Sequence, residues 1–130
     1  MKFFFAITFI VLFLIACKPS KKEIYKLIHS TGTCDRVKGF ELIGKYEDTS
    51  FLRDIFDNPN DRKICHGLNH YGKSPLWAKV KALEKITNIK LPYEYDSFTL
   101  DTTALTFYKV ILLKKGYLKW HEDDTTISNF

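Results

Sequence analysis

Residues 74–88 of the 130-residue chain read SPLWAKVKALEKITN, and this stretch decides the fold class. Its apolar residues recur every three or four positions, which is the spacing of one face of an α-helix. Ser74 is a favoured N-cap, and Pro75 suits the first helical position, where a missing N–H group costs nothing. We therefore predict a helix that ends near Asn88. Its inward residues are Leu76, Val80, Leu83 and Ile86, with Trp77 beside them, and its solvent-facing residues are Lys79, Lys81, Glu84 and Lys85.

The same helical spacing recurs before and after this stretch. The predicted helices are residues 21–29 after the cap Ser20, 36–46 after Asp35, 51–57 up to the Pro59 turn, and a last helix that follows Asp101 or Thr102 and runs to Lys115. Gly39 and Gly44 allow neighbouring helices to approach closely. Because short turns join several of these helices, the sequence predicts an all-α fold, a small bundle of four to five helices arranged as antiparallel hairpins.

Residues 37–48, VKGFELIGKYED, together with the helix at 52–56 and the turn at 57–61, resemble a HEAT-type repeat. In that family an outer helix ends in a Leu-Gly-x-Tyr-x-Asp-like turn, and a leucine-rich inner helix ends at Asp-Pro. Residues 80–87, VKALEKIT, are similar to the outer helix of a next repeat, at a period within the roughly 40–47 residues of such repeats. The resemblance implies a HEAT-like helical domain. Loop 62–73 is longer than the family's usual connection, so a generic small helical bundle is the alternative.

The amino terminus has the pattern of an export signal. Lys2 precedes an uncharged apolar run from Phe3 to Ala16, which is too short to span a hydrocarbon core of ~30 Å and fits the apolar part of a secretory signal. The sequence Leu-Ile-Ala-Cys at 14–17 resembles the bacterial lipobox. The resemblance implies cleavage before Cys17, with acyl chains on its sulfur and on the new amino terminus. The alternative is an uncleaved anchor with an incidental cysteine.

These features divide the chain into four parts. They are a lipoprotein signal peptide at 1–16, a lipid-anchored basic tether at 17–22, a helical HEAT-like domain at 23–120 and a polar tail at 121–130. Several acyl chains would hold Cys17 firmly in a membrane, so membrane lipid is a predicted partner. The expected location is the bacterial cell membrane, after export. In enterobacterial lipoproteins, an acidic residue directly after the lipid-bearing cysteine resembles an inner-membrane retention signal. This chain has Lys18 at that position, so the periplasmic face of an outer membrane is favoured in a host that has one.

Length and charge narrow the function classes. A chain of 130 residues has room for one small domain, since domains usually run to roughly 100–200 residues, and a multidomain enzyme or a multi-span membrane protein is excluded. The formal net charge is +5, and removing residues 1–16, which contain Lys2, leaves +4. We predict no nucleic-acid partner, because the lysines are spread out and the chain is exported.

The cysteines that remain are Cys34 and Cys65. An oxidising compartment permits a disulfide between them, and the alternative is two buried thiols.

The sequence predicts no cofactor and no enzymatic activity, because it has no Gly-rich phosphate loop, serine nucleophile elbow or Walker-type lysine. Tyrosine and tryptophan dominate the energetics of many protein interfaces. The candidate partner-binding residues are His66, His70, Tyr71, Trp77 and Trp120. We therefore predict a membrane-anchored adaptor or inhibitor of a protein in the cell envelope.

Two other functions stay open at this point. His66 and His70 are four residues apart, with Cys65 and Asp61 nearby, so this loop is a candidate for a small metal-binding or enzymatic site. Gly67 weakens a helix there, and the spacing of a third and fourth ligand is missing, so we predict no metal. The second alternative is an immunity-type lipoprotein that neutralises a toxin.

Overall fold

Five α-helices make up the fold in a computed structural model that describes residues 18–98 and 101–119. The all-α prediction of four or five helices is confirmed, and this described part contains no β-strand. The HEAT resemblance stays a prediction. The helices are α1 (Lys21–Ile28), α2 (Thr33–Tyr46), α3 (Leu52–Phe56), α4 (Pro75–Thr87) and α5 (Thr103–Lys114), with short 3-10 helices at Thr49–Phe51 and Leu68–His70.

Side-chain caps fix where α1 and α4 begin. The Ser20 hydroxyl accepts a hydrogen bond from the Glu23 N–H at 3.2 Å, and the Glu23 carboxylate accepts one from the Ser20 N–H at 2.7 Å. This reciprocal pair is a capping box, and its hydrogen bonds lower the pKa of Glu23. The Ser74 hydroxyl accepts from the Trp77 N–H at 3.1 Å, as predicted. Lys21 and Lys22, which the sequence assigned to the tether, lie in the first turn of α1.

Two glycines let α2 contact both of its neighbours closely. A Cβ atom on Gly39 would lie 2.6 Å from the Ile28 side chain in α1, and one on Gly44 would lie 2.8 Å from the Cα of Ala82 in α4. Both distances are too short for a real Cβ atom. The predicted role of these glycines is therefore confirmed, and α2 is the central helix of the bundle.

One core joins all five helices. Most of the predicted inward residues are buried, but Ile86 of α4 is only partly buried against the core. Tyr108 is buried and donates a hydrogen bond from its hydroxyl to the Ile89 carbonyl at 2.8 Å. Burial of such apolar side chains is the main favourable contribution to folding. Residues that are completely buried include Ile24, Val37, Ile43, Ile55, Leu76, Val80, Leu83, Tyr108 and Leu112.

Lys79 is where the predicted pattern of α4 is wrong. The sequence placed this residue on the solvent face, but only 2% of it is exposed. Its ammonium group donates to the carbonyls of Asp57 at 2.5 Å and Asn58 at 3.1 Å, and it lies 5.0 Å from the centroid of the Phe40 ring. The turn after α3 therefore covers this edge of α4. Burial lowers the pKa of Lys79 to about 8, because the charged form loses its hydration.

Several of the predicted features lie outside the described residues: the signal peptide at 1–16, the lipidation site Cys17, Trp120 and the tail at 121–130. In the part that is described, none of the helices has the length and apolar character needed to cross a membrane.

Candidate functional site

The loop at 62–73 is closed at its base by Cys65. The Cys65 N–H donates to the Lys73 carbonyl at 2.8 Å, and the Cys65 carbonyl accepts from the Gly72 N–H at 2.9 Å. Gly72 has a φ of 76°, a left-handed conformation that glycine adopts without strain. Two turn bonds lie inside the loop, from the His70 N–H to the Gly67 carbonyl and from the Lys73 N–H to the His70 carbonyl, each at 3.1 Å. The loop therefore satisfies much of its own backbone.

A disulfide joins this base to the first turn of α2. Cys34 and Cys65 are bonded, with their Cα atoms 4.9 Å apart, so of the two alternatives left by the sequence the structure has the bridge. Gly67 lies against it, and a Cβ atom there would be 3.2 Å from the Cys34 sulfur. Closing a loop of about 30 residues stabilises a fold by ~3–4 kcal/mol in the chain-entropy account. The covalent bond fixes the loop on the bundle.

Glu41 of α2 holds the second half of the loop. Its Oε1 atom lies 2.6 Å from the Lys73 ammonium, and its Oε2 atom lies 2.8 Å from Nδ1 of His70. The histidine contact has the distance of an ion pair but not the geometry of a hydrogen bond, so Nδ1 has no hydrogen-bond partner. The Lys73 ammonium also lies 5.1 Å from the centroid of the Trp77 ring. These contacts attach the loop to α2 and α4 at several points.

Apolar side chains project from this ordered loop into solvent. Leu68 is 99% exposed and Tyr71 is 71% exposed. The His66 ring lies edge-on to Tyr71, with the ring centroids 6.1 Å apart. We call Leu68, Tyr71 and His66 the loop tip. Phe98, which is also exposed, lies beside the loop, with its ring 3.8 Å from the position that a Cβ atom on Gly72 would take.

The start of the loop is held by an arginine. Arg36 of α2 contacts the buried Asp61 carboxylate through Nε at 2.7 Å and Nη2 at 3.2 Å. The same guanidinium donates to the carbonyls of Ser30 at 2.8 Å and Thr31 at 3.0 Å. A bidentate, largely buried pair of this kind is specific in its geometry. It joins the α1–α2 turn to the residue that precedes the loop.

The predicted partner-binding residues separate into two groups. His66 and Tyr71 are exposed at the loop tip, whereas His70 is half-buried beside Glu41 and Trp77 is half-buried against the core. Sequence reasoning missed Leu68 and Glu41. The sequence does contain a signal for Leu68. It is an apolar residue between Gly67 and Asn69, in a stretch without the helical spacing that would place it on a buried face.

The metal-binding or enzymatic site that the sequence left open is not assembled in the part of the chain that the structure describes. The Cys65 sulfur is bonded to Cys34, so in this state it is neither a nucleophile nor a thiolate ligand. The Asp61 carboxylate is held by Arg36. Among residues 18–98 and 101–119, no group of three or more histidine, cysteine, aspartate or glutamate side chains is arranged to hold a metal ion.

Comparison of the chain with protein-family profiles, curated proteins and solved structures found no match.

Proposed function

We propose that this protein is an exported lipoprotein, anchored in a bacterial envelope membrane through acylated Cys17, that binds another envelope protein as a non-enzymatic adaptor or inhibitor. The observation that carries the proposal is the loop at 62–73, which is fixed by a disulfide and by Glu41 while Leu68 and Tyr71 are exposed. A surface ordered before binding loses little conformational entropy when a partner docks. Burial of one leucine side chain would contribute about 1.5–3 kcal/mol.

The disulfide supports the export part of the proposal. Such bonds persist in oxidising compartments outside the cytoplasm and are rare within it. The Cys34–Cys65 bond agrees in this respect with the lipobox-like sequence at 14–17. The two features lie in different parts of the chain and suggest the same compartment independently.

The start of the described chain supports a short attachment to the membrane. The Lys18 ammonium lies 5.2 Å from the centroid of the Tyr46 ring, and the Lys21 ammonium lies 3.9 Å from Asp48. Lys18 directly follows Cys17, and consecutive Cα atoms are only about 3.8 Å apart. In our proposal the carboxyl-terminal end of α2 therefore lies close to the bilayer.

Reciprocal capture from solubilised envelope membranes tests the proposal. The full chain carries a carboxyl-terminal tag, and Cys17→Ala serves as the control without acyl chains. We expect a partner to be recovered in a fixed ratio, to retrieve this protein when the partner itself is tagged, and to bind it when both are purified. Cys17→Ala should lack the added mass of the acyl chains and still bind the purified partner. Failure of the reciprocal capture, or binding that does not survive purification, would contradict the proposal.

A further inference from the structure

The loop that carries the loop tip contains basic residues and no acidic ones. Loop 62–73 contains Arg62, Lys63 and Lys73 but no aspartate or glutamate. Lys73 is paired with Glu41, and Arg62 is partly balanced by Asp101, whose pKa it helps to lower. Lys63 is exposed next to the base of the loop. The loop that presents the two exposed apolar side chains therefore also carries an exposed positive charge next to its base.

The position of the loop tip along α2 bears on the kind of partner. Gly67, the neighbour of Leu68, lies against Cys34 in the first turn of α2, whereas Lys18 lies against Tyr46 in its last turn. A helix rises about 1.5 Å per residue, so these two points are ~18 Å apart along the axis. The loop tip is therefore remote from the place where the chain leads to Cys17. This separation favours a protein over the anchoring bilayer as its partner.

We infer that Leu68 and Tyr71 insert into an apolar pocket of a partner protein, and that carboxylates bordering this pocket contact Lys63 and Arg62. The inference rests on the proposed function and deepens it, because it names the surface and the chemistry of the partner. An apolar anchor within a charged rim is the usual anatomy of a specific interface. The opposite charges set the orientation of docking, and the buried side chains provide the affinity.

Site-specific photo-crosslinking in cells tests this inference. The photoreactive residue p-benzoylphenylalanine replaces Leu68 in the full lipidated chain, and a matched chain carries it at Tyr25, which is exposed on α1 outside the loop. We expect an adduct with one partner protein from position 68 and none with that protein from position 25. Mass spectrometry of the adduct should place the crosslink among apolar residues that have aspartate or glutamate beside them.

Charge reversal supplies the second arm of the test. The double change Arg62→Glu and Lys63→Glu should lower the crosslinking yield at position 68 by about fivefold, since it turns attraction at the rim into repulsion. Lys90→Glu alters an exposed lysine outside the loop and should leave the yield unchanged. Leu68 is almost fully exposed, so its replacement should also leave thermal unfolding unchanged, and that measurement verifies folding.

Three outcomes would overturn the inference: an adduct with lipid, an adduct of the chain with a second copy of itself, or a yield that does not respond to the charge reversal. The proposed function is tested separately. If reciprocal capture yields a partner but position 68 does not crosslink to it, only the inference fails. If no partner is captured, both fail.

Discussion

At the scale of single residues, Lys79 and Leu68 differ from what their types suggest. The lysine is buried, and the leucine is almost wholly exposed. Helical periodicity cannot identify Lys79, because the carbonyls that bind it belong to Asp57 and Asn58, far away in the sequence. For Leu68 no helical period exists, since it lies in a single 3-10 turn. Both positions depend on contacts between segments that are distant in sequence.

The pKa of Lys79 predicts a specific pH dependence of stability. Its value falls from 10.5 to about 8 on folding. Between these two values the unfolded chain binds more protons than the folded chain, so the free energy of unfolding rises with pH. We expect the free energy of unfolding of the wild type, minus that of Lys79→Met, to increase by about 1 kcal/mol per pH unit between pH 8.5 and 10. Denaturant titrations of both proteins across this range measure it. A difference that does not change with pH would show that folding does not lower the pKa of Lys79.

Leu68→Ser should separate binding from folding. We expect the free energy of unfolding to change by less than about 0.5 kcal/mol, because the side chain is 99% exposed. Affinity for the purified partner should fall by at least about tenfold, since burial of a leucine contributes ~1.5–3 kcal/mol. Titration calorimetry gives the dissociation constants. Tyr117→Ser, at an exposed aromatic residue on the turn after α5, is the control and should bind normally.

At the scale of the elements, most of the fold was accessible from sequence. Caps, apolar spacing and turn residues are local signals, and they place all five helices to within a few residues. The predicted cap Asp35 is wrong, because α2 begins at Thr33 and Asp35 lies in its first turn. The same signals say little about the loop at 62–73. Its shape depends on the bond from Cys65 to Cys34 and on the contacts of His70 and Lys73 with Glu41. Such long-range pairs leave no periodic pattern in the sequence.

The substitution Gly44→Ala tests how closely α2 and α4 approach each other, because it adds one methyl group at their crossing. Alanine favours a helix over glycine by about 1 kcal/mol, yet a Cβ atom here would lie 2.8 Å from the Cα of Ala82. Overpacking of this kind costs ~1–3 kcal/mol, so we expect Gly44→Ala to lower the free energy of unfolding. Lys45→Ala, at the exposed neighbour, should change it far less. A more stable Gly44→Ala protein would show that the two helices are further apart.

The disulfide should order the loop as well as stabilise the bundle. We expect the double change Cys34→Ser and Cys65→Ser to reduce the free energy of unfolding by about 2–4 kcal/mol. Amide hydrogen exchange should accelerate within 62–73 and much less within α4, because the loop loses its covalent attachment while the core remains packed. If exchange accelerates equally in both segments, the bond holds the whole bundle rather than the loop.

At the scale of the whole molecule, the two ends of α2 carry the features on which the proposed function rests. One end of α2 lies beside Lys18, where the chain leads to the proposed anchor, and the other end holds the disulfide and the loop tip. The sequence suggested the anchor and the general site at 62–73. It also predicted His66 and Tyr71, which are exposed at the loop tip, but it missed Leu68, because the exposure of that leucine depends on how the loop is folded. His70 and Trp77 are half-buried, in contact with Glu41 and with the core, and their binding of a partner stays a prediction.

The intact mass of the protein extracted from bacterial membranes under non-reducing conditions distinguishes an exported, lipid-anchored protein from an unprocessed chain. Our account predicts a chain that begins at Cys17, carries the added mass of a diacylglyceryl group and a further acyl chain, and lacks the two hydrogens lost when Cys34 and Cys65 join. An unprocessed chain that still begins at Met1, without lipid and with both thiols free, would contradict the account of an exported, membrane-anchored protein with an ordered binding loop.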